Sequence, residues 1–250
     1  MSDREHLRTT FGGDAARYHR ARPGYPAELF ALLSGPRILE IGPGTGQATL
    51  PLTSLGDVTA VELSPDLAAV ARAHAPAAEV VVADFDVWPL PAEPFDLVVS
   101  ATAFHWLDPA TRMARCAAAL RPGGVLAVIS THHVAGGTGQ FFVDVQECYE
   151  RWDPSTPPGL RLSPAAGIPF EFDESADFEP PEFFRFEWEQ AYDTERYADL
   201  LLTYSNHIAL PDRDSLIADI RRLIDTRHGG RVVKRYMTQL ARARVVSRSS

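Results

Sequence analysis

The chain is short of several residues whose presence would narrow its chemistry. Cysteine occurs twice, at Cys116 and Cys148. Two isolated cysteines make neither a disulfide framework nor a zinc-ligand spacing. Both fall in segments patterned as helices, where buried thiols in a reducing compartment are expected. No apolar run approaches the roughly 20 residues that cross a bilayer as a helix. The opening stretch, MSDREHLRTT, is polar and lacks the apolar core of a secretory signal. These absences point to a cytoplasmic protein with no membrane partner. Positive charge is also scarce. The formal net charge of −9 repels phosphate backbones and argues against a nucleic-acid partner. One late concentration (Arg231, Lys234, Arg235, Arg242, Arg244 and Arg248) falls largely on an expected strand and reads as its solvated face. Lysine is nearly missing: of 24 basic residues, only Lys234 is not an arginine. Beside the many alanines and prolines, that imbalance reads as coding bias.

What is present is an alternation of short apolar runs and helical patterns. A chain of 250 residues suits one α/β domain with insertions. Residues 11–20 pattern as a short helix, and PAELFALL, with Pro26 at its first position, as a second. From Arg37 the runs RILEI, VTAVEL, AEVVVADF, FDLVVSATA and GVLAVIS read as strands. Between them QATLPLTSL, LAAVARAHA and DPATRMARCAAAL read as helices, the second capped by Ser64 before Pro65. Such alternation implies a parallel sheet with helices on both faces. Residues 131–139 read as loop, 140–152 as helix, and 153–181 as an irregular stretch rich in proline and acid. Residues 183–192 form a sixth strand, helices follow at 194–205 and 212–227, and RVVKRYMTQLARARV is the seventh strand. The last two strands are expected as an antiparallel pair at one edge. The fold class is therefore α/β: a Rossmann-like, seven-stranded, mostly parallel sheet with an antiparallel last strand and a small cap. Four parts follow: an arm over 1–36, a core over 37–131, a cap over 132–182 and a completing segment over 183–250. No heptad or exposed apolar stripe marks a large assembly, so a monomer or homodimer is expected.

The most informative segment is Glu40-Ile41-Gly42-Pro43-Gly44-Thr45-Gly46, at the end of the first strand. Open α/β sheets bind ligands at that edge. Glycines there take positive φ and admit a ligand close to the backbone. The spacing is Gly-x-Gly-x-Gly, not the Gly-x-Gly-x-x-Gly of dinucleotide-binding proteins, which opposes a nicotinamide oxidoreductase. Glu62 ends the second strand, 20 residues after Gly42, where a carboxylate can accept from both hydroxyls of a ribose. Asp84 ends the third strand and is followed by Phe85. The acid can accept from an adenine amine, and the ring can pack on the base.

EIGPGTGQ, VELSPDL, ADFDVWPLP, FDLVVSATAFHWL and LRPGGVLAV resemble the successive motifs of class I methyltransferases dependent on S-adenosylmethionine (SAM). The lead-in through Tyr18 and Arg-Pro-Gly-Tyr-Pro, and the Ala-Phe-His-Trp run, resemble a small-molecule branch. That branch includes the trans-aconitate methyltransferase-like and UbiE/COQ5-like proteins. The resemblance covers about residues 12–131, with the last strand also similar. It implies SAM as cofactor and a small-molecule substrate methylated on O, N or C. It also implies Glu40, Gly42, Gly44 and Gly46 along the methionine, and Glu62 and Leu63 at the ribose and adenine. Asp84 and Phe85 would face adenine, and Ala101 and Ala103 would lie beneath the cofactor. Tyr18 and Arg22 would fold over it, Arg22 as partner of its carboxylate.

Methyl transfer needs a nucleophile held in line with the departing sulfur, and a base only if the nucleophile starts protonated. His105, after the fourth strand, is the candidate base, with a structural role in the His-Trp turn as the alternative. Trp106 reads as packing or pocket wall. His132 and His133 would face the pocket but lack the partners of a metal site. Tyr204 and His207, with Phe141, Phe142, Tyr149 and Trp152, are candidate substrate walls. The motifs read adenosine and methionine rather than the reaction, so a SAM-binding protein that rearranges or senses is the alternative.

Overall fold

The computed structural model describes residues 15–246. The expected start of the first helix, residues 11–14, and Arg248 lie outside the described residues. An arm carries α1 (Ala15–Ala21) and α2 (Ala27–Phe30). The core follows as β1 (Arg37–Ile41), α3 (Thr49–Leu52), β2 (Asp57–Glu62), α4 (Pro65–His74), β3 (Glu79–Val82), β4 (Phe95–Ala101), α5 (Arg112–Ala119) and β5 (Leu120–Val134). Next come α6 (Gly139–Asp144), α7 (Gln146–Trp152), β6 (Glu182–Asp193), α8 (Thr194–Leu201), α9 (Ser205–Ile208), α10 (Arg213–Arg227) and β7 (Arg231–Arg244).

The sheet has seven strands in the order β3-β2-β1-β4-β5-β7-β6. β1 to β5 pair in parallel, and β7 enters antiparallel between β5 and β6. This is the Rossmann-like architecture with the reversed last strand that the alternating runs imply. The central runs are rich in apolar residues on both sides because both faces are covered. Ile38 and Leu97 point into one layer, with Leu29, Leu52 and Ala68 from α2 to α4. Their neighbours Leu39 and Val98 point into the other, with Met113 and Cys116 of α5. Fully burying each of these aliphatic side chains stabilises the fold by roughly 1.5–3 kcal/mol. A third cluster joins Phe141, Tyr197, Leu216 and Ile220 to Tyr192, Val232 and Tyr236 at the far end of β6 and β7. Cys116 and Cys148 are buried free thiols, and burial pushes Cys116 up to about 12.

Several elements differ from expectation. The segments PAELFALL and QATLPLTSL are helical only over four residues each. Pro51 cannot donate an amide hydrogen, so α3 is interrupted from within. Residues 131–134, expected as loop, continue β5 because Thr238, Met237, Tyr236 and Arg235 of β7 pair with them. The helix expected over 194–205 is two pieces, and the 140–152 helix is also two. Lys234, assigned to a solvated face, is 3% exposed. It alternates inward with Val232 and Tyr236, while Arg235 points outward to Glu187 at 2.8 Å.

Candidate functional site

β1 delivers the chain to a turn at the carboxyl edge of the sheet. Gly42 has φ +68°, and its amide donates to Val61 O at 2.9 Å. A Cβ there would stand 2.6 Å from the Ala103 Cβ, so the loop after β4 closes against a bare backbone. Gly44, at φ +59°, has only Tyr18 Cε1 near its would-be Cβ, at 3.9 Å, so this face of the turn is open. Gly46 instead faces Ala71 and His74 and lets α4 pack closely.

Glu62 lies at the end of β2, buried at 6% exposure. Its Oε2 accepts the Gly44 amide and its Oε1 the Ser64 amide, both at 2.9 Å. Burial raises its pKa, against the lowering by those two amides and that of Leu63. Glu40, at the end of β1, is 1% exposed and its Oε2 has no hydrogen-bond partner. Burial, with the neighbouring Glu62 charge adding to it, pushes Glu40 up to about 7. Beyond β4, Thr102 holds φ +55°, a left-handed conformation that a β-branched residue rarely adopts. Its hydroxyl meets Tyr25 Oη at 2.8 Å, which ties the strained turn to the arm.

These groups open on one cavity of about 1260 Å³. Tyr18, Arg22, Glu40, Gly42, Gly44, Glu62, Leu63, Phe85, Ala101 and Ala103 all line it. So do His105, Trp106, His132, His133, Tyr204 and His207. Gly46 and Asp84 do not. The Asp84 Oδ1 accepts the Asp86 amide at 3.0 Å and closes its own turn. Of the aromatic candidates, Phe142 and Tyr149 are walls. Phe141 sits wholly in the third cluster, and the Trp152 indole donates to Asp219 at 2.8 Å.

The histidines differ in setting. His105 stands exposed at the cavity rim, its ring 4.7 Å from that of Trp106. Partial desolvation, then the Arg112 charge, lowers its pKa, so the imidazole is neutral at physiological pH. His132 shares a hydrogen bond with Ser130 at 3.1 Å. His133 packs edge-on to Phe142, and burial with the Lys234 charge brings it down to about 3. His207 pairs with the Tyr149 hydroxyl at 2.9 Å, and burial with Lys234 brings it to about 4. Among the described residues, no group of three or more His, Cys, Asp or Glu could hold a metal ion. No helix there is long and apolar enough to cross a membrane.

Further lining residues were not singled out from sequence: Tyr25, Thr102, Arg112, Lys234 and Tyr236. For Lys234 a signal existed, since it is the chain's only lysine. A positive φ at threonine leaves no mark in composition or spacing.

The sheet order, with a cavity at its carboxyl edge, is that of a Rossmann-like fold. Residues 39–128 match the family model described as a methyltransferase domain. Over 130 residues it is 36% identical to an uncharacterised methyltransferase of Mycobacterium tuberculosis, covering 50% of this chain and 54% of that one. A ubiquinone biosynthesis O-methyltransferase of Bradyrhizobium is 36% identical over 131 residues, 50% of each chain. The chain thus spans about half the length of the curated relatives it matches. A solved structure from Anaeromyxobacter dehalogenans, described as a type II methyltransferase, superposes with TM-score 0.58 at 25% identity. That superposition covers 91% of this chain and 99% of that one.

The cofactor this family implies is SAM. The residues present fit it. Glu62 spends one lone pair of each oxygen on a backbone amide, leaving capacity for two ribose hydroxyls. The open face of Gly44 leaves room against the backbone. The unpartnered Glu40 oxygen, buried beside it, suits a cationic amino group.

Proposed function

We propose that this chain transfers a methyl group from SAM to a small-molecule acceptor seated in the outer part of the same cavity. The observation that carries this reading is the cavity's size. Sites for a single small ligand run to roughly 300–1,000 Å³, and about 1260 Å³ leaves room for a second molecule beside a cofactor. When bound, SAM supplies an electrophilic methyl group on a good leaving group. Everything else falls to the protein's residues. Glu62 holds the ribose, and Leu63 and Phe85 flank the adenine, while Asp84, expected at the adenine amine, closes its own turn off the cavity wall. Glu40 with the backbone of Gly42 to Gly44 lines the methionine, Gly46 serves the packing of α4 behind it, and Ala101 and Ala103 form the floor. Tyr18 and Arg22, on the arm, close over it, Arg22 toward the carboxylate. The arm over 1–36 and the segment 132–182 act as lid and cap on the core.

His105 is proposed as the proton acceptor where the nucleophile begins as O–H or N–H. Its neutral imidazole at the rim can take the proton and pass it to water. Trp106, His132, His133, Tyr204 and His207 shape the acceptor's place. A cytoplasmic enzyme working as monomer or homodimer on a metabolite fits this reading.

The test is calorimetric titration with SAM and S-adenosylhomocysteine, followed by incubation of the enzyme and methyl-labelled SAM with metabolite pools. Labelled product and S-adenosylhomocysteine are expected together. No binding of either nucleotide at millimolar concentration would refute the reading. Turnover with the label retained on SAM would move the protein to a non-methylating role.

A further inference from the structure

We propose that the outer part of the cavity is a carboxylate-recognition site built on Lys234, so that the substrate is a small carboxylic acid with a flat, apolar body. This rests on the reading of the cavity as a two-ligand site.

Lys234 projects inward from β7 and is 3% exposed. Its Nζ donates to the Tyr204 hydroxyl at 3.2 Å and lies 5.3–5.9 Å from the ring centroids of Tyr197, Tyr204 and Tyr236. No carboxylate among the described residues pairs with it. An ammonium has three N–H donors, and this one spends a single donor on the protein. Arg22 repeats the pattern on the facing arm. Its guanidinium stacks between the rings of Tyr18 and Tyr204, at 4.8 and 4.6 Å. One nitrogen donates to Thr203 O at 2.9 Å, and the buried Nε has no partner.

Two cations thus flank Tyr204 in one cavity, and among the described residues neither pairs with a carboxylate. Burying a charge without a partner costs several kcal/mol, and an apolar side chain of the same volume would fit this inward position better. Of the acids that line the cavity, Glu171 acts on His105 and His132 and forms no ion pair with Lys234 or Arg22 among the described residues, and two others are engaged elsewhere. Asp153 accepts from Ser155 and Thr156, and Asp173 takes both arms of Arg112. The Tyr204 phenol reports the resulting potential. Burial pushes its pKa up, but Lys234 and Arg22 overcome this and hold it below the ordinary value.

With Arg22 given to the cofactor, Lys234 remains for the substrate. One ammonium beside one phenol hydroxyl matches the two oxygens of a carboxylate, whereas a phosphate dianion would need more donors. The Tyr197 and Tyr236 rings around the ammonium, with Phe142 and Tyr149 lining the same cavity, suit a flat apolar body. In a chain that otherwise uses arginine throughout, a compact ammonium stands among three tyrosine rings.

The test uses the full chain with benzoate and cinnamate as probes, and benzamide as the neutral counterpart, titrated in the presence of S-adenosylhomocysteine. Benzoate or cinnamate is expected to bind, with benzamide at least roughly tenfold weaker. Lys234→Met should lose roughly tenfold or more of that carboxylate affinity, and Lys234→Arg should recover part of it, while S-adenosylhomocysteine affinity stays within about twofold. If Lys234→Met does not fold, the benzoate-to-benzamide ratio in the wild type decides. Equal binding of the pair, retained carboxylate affinity in a folded Lys234→Met, or no carboxylate binding up to about 10 mM overturns the proposal. A tyrosinate absorbance band at neutral pH, lost in Tyr204→Phe, would show that the cations are balanced by Tyr204 itself and would overturn it as well. Failure of S-adenosylhomocysteine to bind, with carboxylate discrimination intact, would remove the methyltransferase reading and leave this one standing.

Discussion

At the residue scale, two buried glutamates carry opposite consequences. Glu62 is held by two backbone amides, which orient its carboxylate before any ligand arrives. Glu62→Gln keeps the volume but turns one acceptor oxygen into a donor facing an amide. We expect nucleotide affinity to fall by about 10- to 100-fold, equivalent to about 1.4–2.8 kcal/mol, measured by titration with S-adenosylhomocysteine. Glu40 has no such support and keeps its proton up to about pH 7, against 4.5 for the ordinary group. The sign follows. Below pH 4.5 both folded and unfolded forms are protonated and nothing is lost. As pH rises from 4.5 to about 7 the unfolded chain ionises first, so stability falls through that window, by at most about 3 kcal/mol, and levels above it. Glu40→Gln should flatten that slope in denaturant titrations across pH 4–8. A cationic amino group beside Glu40 reverses the preference. Nucleotide binding at pH 6.5 should therefore release protons in the wild type and fewer in Glu40→Gln, read from calorimetry in buffers of different ionisation enthalpy.

At the scale of elements, the joint between cap and C-terminal helix turns on Asp144. This acid ends α6, 7% exposed, and accepts from Gln140 at 2.8 Å, Arg227 at 3.0 Å and His228 at 3.1 Å. Burial alone would raise its pKa, but Gln140, Arg227 and His228 outweigh that and lower it. The stability it contributes is present above the unfolded carboxylate's pKa and is lost as pH falls through the lowered folded value. Asp144→Asn should cost about 1.5–3 kcal/mol at pH 7 and remove part of the acid limb of the stability profile, measured by urea unfolding at pH 3–7. Elements differed in how far the chain announced them. RILEI, VTAVEL and FDLVVSATA could be read as buried parallel strands because both faces are covered and apolar residues dominate their interiors, with polar residues mostly at the ends. The extension of β5 to Val134 could not, because its partners in β7 lie roughly 100 residues further along and Thr131, His132 and His133 are three polar residues in a row. The site divides the same way. Gly42, Gly44 and Glu62 were legible because a tight turn and a strand-end acid restrict residue type. Lys234 was visible only as an oddity of composition, and its inward direction depends on the register with Gln190 of β6.

At the scale of the whole molecule, the cavity is bounded by parts that have little else in common. Its inner wall comes from the two layers packed on β1, β2 and β4, and its outer wall from the cluster at the far end of β6 and β7. The arm crosses between them: Arg22 reaches Thr203 O beside α8, and Tyr25 reaches Thr102 after β4. A ligand lying along this cavity would therefore draw stability from contacts on both sides, which no single layer supplies. Saturation with S-adenosylhomocysteine at about 100 times its dissociation constant adds about 2.7 kcal/mol by mass action. For a chain of this length that raises the melting temperature by roughly 5–11 °C. The distribution of protection is the sharper readout. If arm and cap close on the ligand, amide exchange should slow in α1, in the turn at Thr102 and in β5 beyond Ser130, as well as at Gly42–Gly46. Protection confined to the glycine turn and the end of β2 would mean that the nucleotide engages the core alone. The arm would then have no part in the ligand-bound form, despite the contacts it makes without one.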